Sequence, residues 1–157
     1  MKFLYLFILL LSNPSFIFSQ EVSNVSLAWA GNSVNTVVFR RNSVVTYKKN
    51  QFTSFYDSVG NVILAKRKLG SNNWEIKKTP YKGNYKDAHN SISIIIDGDG
   101  FLHVSWDHHA SKLRYAKSIA PYSLELGPET PMIGKNEAQV TYPEFYKIKG
   151  GDLIFLY

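Results

Sequence analysis

All-β is the fold class that this sequence predicts, and three observations predict it. Short runs rich in Val, Ile, Thr and aromatic residues recur from residue 34 onward, parted by clusters of Asn, Ser, Gly and Asp. No convincing amphipathic helix interrupts them. The runs also repeat. Ser54-Phe55-Tyr56-Asp57, a short turn and residues 62–67 match Val104-Ser105-Trp106-Asp107, a short turn and residues 113–118. The offset is about 50 residues, a period expected of propeller blades. A third copy opens with 152–157, which aligns with 101–106. The prediction is a β-propeller fragment of about two and a half blades.

The elements follow in order. Strands are expected at 34–40, 43–47, 51–57, 62–67 and 74–77, each β-rich and each bounded by polar or glycine turn residues. After Tyr85 the pattern restarts. Residues 91–97 and 101–107 form a hairpin around Gly98-Asp99-Gly100, and 112–118 follows. A loop rich in Pro and Gly covers 119–136, and strands resume at 140–148 and 152–157. Alternation along 101–107 puts Phe101, His103, Ser105 and Asp107 on one face and Leu102, Val104 and Trp106 on the other. Trp29, Trp74 and Trp106 read as core between sheets, although an exposed indole could stack on a sugar.

The chain start reads as a targeting signal. Met1-Lys2 is basic, 3–11 is an apolar run too short to span a bilayer, and 14–20 is a polar-to-small exit. Residues 1–19 are therefore expected to be a signal peptide. Residues 20–157 are expected to be the N-terminal part of a propeller domain, truncated at its C-terminus because two and a half blades leave an open sheet edge. A secreted, periplasmic or cell-surface bacterial protein follows, without a membrane span and monomeric when complete. With no cysteine, disulfides and thiolate metal sites are excluded within the chain. The formal net charge is +6, with the basic residues scattered. Outside a cell this favours an anionic polysaccharide as partner over nucleic acid.

The chemistry gathers around the hairpin. Its two ends return to one edge, which brings His89 near His108 and His109, with Asp87 and Asp107 close by. Imidazoles and carboxylates on one rim suit proton transfer. Tyr142, before Pro143, would point to the same end. Asp97-Gly98-Asp99-Gly100 resembles the start of a calcium loop but lacks its final carboxylate, so a turn is expected. His103 lies within a strand, where a structural role is at least as expected as a catalytic one. A zinc site from His89, His108 or His109 and Asp107 is a further alternative, without a supporting short-spaced motif.

Asp87-Ala88-His89-Asn90, the stretch from Gly100 through Trp106 to His109, Leu113-Arg114-Tyr115-Ala116-Lys117-Ser118 and Val140-Thr141-Tyr142-Pro143-Glu144-Phe145 resemble the BNR-repeat, neuraminidase-like propellers of Bacteroidetes. That group includes ulvan lyases. The resemblance implies a seven-bladed propeller and cleavage by β-elimination beside a uronic acid. Carried over by position, it implies His89 as the catalytic histidine, His109 as the second, with His108 left open, and Tyr142 as the tyrosine that donates the proton, its removal by the same tyrosine being left open. Asn90, His108 and Trp106 are expected to contact substrate. No cofactor is expected, with a structural metal in further blades left open. An arginine that binds the uronate would follow Tyr157 in the family's pattern. The alternatives are an α-L-rhamnosidase-type hydrolase on the same propeller and a non-catalytic carbohydrate-binding propeller.

Overall fold

The computed structural model describes residues 22–31 and 42–157; the segment expected at 1–19 and the strand expected at 34–40 lie outside them. Among the described residues there are nine strands and no helix. β1 (Val44–Tyr47), β2 (Asn50–Tyr56), β3 (Asn61–Lys68) and β4 (Glu75–Lys82) form a four-stranded sheet in chain order. β5 (Ile92–Ile96), β6 (Leu102–Trp106) and β7 (Tyr115–Lys117) form the second, widened by a bridge from Ser118 to Leu126. β8 (Glu144–Lys147) and β9 (Leu153–Leu156) form the third. All named pairs are antiparallel, so each sheet is an up-and-down blade of a propeller.

Period-two alternation decides how the sheets stack. Leu102, Val104 and Trp106 of β6 meet Phe52, Tyr56, Val62 and Leu64 of the first sheet in one core. The other face of the second sheet, through Ile95 and Tyr115, meets Phe145 and Phe155 of the third. A sheet covered on both sides is buried on both, as β5 is along its whole length. Trp106 stacks on Tyr81 at 4.4 Å between ring centres, and Phe145 on Phe155 at 4.1 Å.

The strand ends differ from expectation where side chains overrule β pattern. β4 runs on to Lys82 through Pro80, which an outer strand tolerates. The Thr79 hydroxyl donates to Val62 O beside a register shift in β3. β7 begins only at Tyr115, because Arg114 is held back by its bonds to Asp107 and His108. β8 begins at Glu144, because Tyr142 has φ 56° and Pro143 follows it. Trp29 is a correction: it is 51% exposed and lies outside the core.

The Asp97 turn is as expected. Its Oδ1 accepts the N–H groups of Asp99 (3.0 Å) and Phe101 (2.9 Å), which closes the hairpin, and its Oδ2 pairs with Lys117 Nζ at 3.1 Å. This turn sits against the β8–β9 turn, with Gly98 N–H donating to Gly151 O at 2.8 Å. The segments 83–91, 107–114 and 137–143 therefore gather at the opposite end. No described helix is long and apolar enough to cross a membrane.

Candidate active site

Three segments build the rim at that opposite end. The first, 84–90, leads into β5. Asp107 holds it: Oδ1 accepts the Asn84 backbone N–H at 2.7 Å and Asn90 Nδ2 at 2.8 Å. Gly83 just before it must be glycine, since a Cβ there would lie 2.7 Å from the Tyr56 hydroxyl and 2.9 Å from Asp107 Cβ. The second segment, 107–114, leaves β6. Arg114 fixes it with Nη1 donating to Asp107 O at 2.7 Å and pairing with Asp107 Oδ2 at 3.0 Å. The third approaches β8. Val140 and Ser111 exchange backbone bonds at 2.7 and 3.2 Å, and Ala110 N–H donates to Thr141 Oγ1 at 2.7 Å. Tyr142 is thereby tied to the loop that carries His109.

The expected trio converges. The His89 and His109 rings lie 4.0 Å apart between centres, and the Tyr142 ring lies 5.8 Å from that of His89. Both imidazoles are substantially exposed, and Tyr142 is 53% exposed. Between the two histidines sits Asp87. Its Oδ1 meets His89 Nδ1 and its Oδ2 meets His109 Nδ1, each at 2.6 Å. The His89 backbone N–H adds a third bond to Oδ1 at 2.9 Å. An ionised carboxylate only accepts, so both Nδ1 atoms carry hydrogen, and on a neutral ring the lone pair is then on Nε2. The His109 N–H, then those of His89, hold Asp87 well below the usual carboxylate range.

Asp107, Ala110 and Tyr142 all have positive φ, at 63°, 47° and 56°. Non-glycine residues in that region store strain, and such strain clusters at functional sites. Asp87, His89 and His109 also form a group whose donor atoms could surround a metal ion. Ligands of one ion stand more than about 3 Å apart when each bond is about 2.0–2.2 Å. Contacts of 2.6 Å fit a hydrogen between the atoms instead.

The other expected residues are placed differently. His108 is 1% exposed and its Nε2 accepts the Arg114 backbone N–H at 2.8 Å. Burial first, and then the Arg114 cation, pushes its pKa down to about 4. Trp106 is fully buried, so neither it nor His108 offers a surface to a sugar. Their expected substrate contact is corrected to a core role. Asn90 is buried too, and its amide donates to Asn84 O and Asp107 Oδ1. It shapes the loop that carries His89. Asp107, proposed as a zinc ligand with the histidines, spends its carboxylate on Asn84, Asn90 and Arg114. His103 is structural, bound by Nδ1 to the Tyr115 hydroxyl (2.7 Å) and by Nε2 to Asp97 (3.0 Å).

Asp87 lies at the centre of the site, whereas the sequence pattern places it only close to the histidines. Its signal was present in the Asp-x-His spacing, where an aspartate readily bonds the backbone N–H two residues on.

Comparison with known proteins places this geometry in context. The profile of BNR repeat-containing family members matches residues 50–157. No curated protein matches the chain. Among solved structures, the chain is similar to an ulvan lyase of a polysaccharide lyase family designated PL25. The identity is 15% and the TM-score 0.57, over 73% of this chain and 30% of that one. It is likewise similar to such an enzyme bound to -[GlcA(1-4)Rha3S]-, at 14% identity and TM-score 0.56 with the same coverage. At these identities the likeness is one of fold.

Proposed function

The chain belongs to the BNR repeat-containing family, and from that premise we propose that it carries the proton-transfer site of an exported polysaccharide lyase. The substrate class is an anionic, ulvan-like polysaccharide containing uronic acid, and the reaction is β-elimination. The observation that carries the reading is the meeting of His89 and His109, at 4.0 Å, with Tyr142 beside them. Imidazoles beside a phenol can supply the base and the acid of an elimination. The fold likeness to ulvan lyases supports the choice of substrate. Export rests on the signal-like segment 1–19, and the net charge of +6 suits a polyanion.

The step balances as follows. Nε2 of His89, with His109 beside it, removes the proton from C5 of the uronate. The electron pair forms the C4=C5 double bond as the C4–O bond breaks. The Tyr142 phenol protonates the departing glycosidic oxygen, and the imidazolium proton returns to the phenolate through solvent. Products are an unsaturated uronate and a free hydroxyl end, with no water consumed.

The test is incubation of the full-length protein with ulvan. Ultraviolet absorbance from the new conjugated double bond is expected to rise with time. Release of reducing sugar without that absorbance would overturn elimination in favour of hydrolysis. Binding without any turnover would assign a carbohydrate-binding propeller.

A further inference from the structure

We propose that Asp87 is a positioning residue that locks both site histidines in one tautomer, so that a single carboxylate makes two imidazoles into one proton-accepting unit. This deepens the lyase reading and rests on it for the kinetic consequence, but the tautomer claim stands on geometry alone.

Asp87 uses one oxygen for each ring, at 2.6 Å in both cases. The backbone N–H of His89 fixes the carboxylate orientation. With Nδ1–H of each ring turned to Asp87, Nε2 is the only basic atom left on either imidazole. Neither Nε2 has a hydrogen-bond partner among the described residues. The rings are also too close to tolerate two cations easily, with centres 4.0 Å apart. The proton taken from a substrate can therefore settle on either ring while the other stays neutral. A lone histidine with its own aspartate would have no such second acceptor.

The groups around this unit are occupied elsewhere. Asp107 is paired with Arg114, and His108 is buried against the Arg114 backbone. Nothing else among the described hydrogen bonds fixes the tautomer of His89 or His109. An amide in place of the carboxylate breaks the arrangement in a defined way. Asn offers one acceptor and one donor, so one ring keeps Nδ1–H. The other ring must turn an unprotonated nitrogen to the amide N–H and move its hydrogen to Nε2, where it can no longer act as base.

Nitrogen NMR of the full chain labelled at histidine tests this directly, at a pH where the imidazoles are neutral. In the wild type, His89 and His109 are both expected as Nδ1–H tautomers. In Asp87→Asn at least one of the two is expected to switch to Nε2–H. His108, whose Nε2 accepts a backbone N–H, is expected to stay Nδ1–H in both proteins and so reports an intact core. Nε2–H on either site ring in the wild type, or no switch in Asp87→Asn with the His108 signal unchanged, would overturn the proposal. In the active enzyme, kcat of Asp87→Asn is expected to fall about a hundredfold with KM nearly unchanged. Wild-type kcat in that variant also counts against the role. If the wild type cleaves no uronate polysaccharide, the lyase reading fails, while the tautomer measurement still decides the role of Asp87.

Discussion

Backbone torsion at Asp107 and Ala110, both with positive φ, turns two adjacent histidines in opposite directions. His108 enters the core and His109 reaches the rim. Period-two reasoning stops being useful where a strand ends in such residues, which is why the sequence could not decide between the two. Burial gives His108 a measurable signature. Its pKa is about 4 when folded and near 6.5 otherwise, so only the unfolded chain takes up a proton between these values. Stability from this group is complete above pH 6.5 and falls as pH drops toward 4. The loss is on the order of 3 kcal/mol. Denaturant titrations across that range are expected to show the decline in the wild type and a clearly smaller one in His108→Gln. His103, shifted down by burial as well, supplies part of what remains. Tyr142 makes the complementary case. Tyr142→Phe keeps the ring beside His89 and deletes the proton. It is expected to leave the melting temperature within about 2 °C, because the side chain is half exposed. The elimination rate is expected to fall by at least about a hundredfold, read by initial-rate kinetics.

Elements were legible in proportion to how freely their backbones follow side-chain pattern. β2, β3, β5, β6 and β9 fall within a residue of expectation at each end, because alternating Val, Ile and aromatic residues face two cores. β7 and β8 are shorter than expected because Arg114 and the Tyr142–Pro143 pair commit their first residues to the site. Turn glycines divide in a way that no pattern reveals. Gly150 and Gly151 have φ of 97° and 96°, yet a Cβ on Gly150 meets nothing while one on Gly151 lies 2.7 Å from Gly98 Cα. Gly150→Ala is expected to cost about 1 kcal/mol from torsion alone. Gly151→Ala adds a backbone collision between the turns of the second and third sheets and is expected to cost about 1–3 kcal/mol more. Paired thermal or denaturant unfolding of the two variants checks the difference.

Across the whole molecule, the repeat carried most of the information. Matching strands about 50 residues apart imply blades, and the stacked sheets have that order. The stretch at 22–31 had no comparable signal. Among the described residues it pairs no strand, yet it clings to the first sheet and the loop after it through Ser23 with Trp74, Trp29 with Tyr56 and Gly31 with Tyr85. Its contacts are single bonds made far along the chain, which local composition does not encode. Charge acts at this scale too. With a net +6, affinity for a polyanionic glycan is expected to fall steeply between low ionic strength and about 1 M salt, where screening reaches about 3 Å. Affinity electrophoresis with sulfated and neutral polysaccharides would read that dependence, and equal salt response for both would refute it.

Tyr142 belongs to the approach of the third sheet, whereas both imidazoles are furniture of the second. The joint between those panels is held chiefly by Phe145, Phe155 and Tyr115 and by a few backbone bonds. Warming or mild denaturant that merely parts them would carry the phenol away and silence the proposed elimination, while a far-ultraviolet spectrum still looked intact.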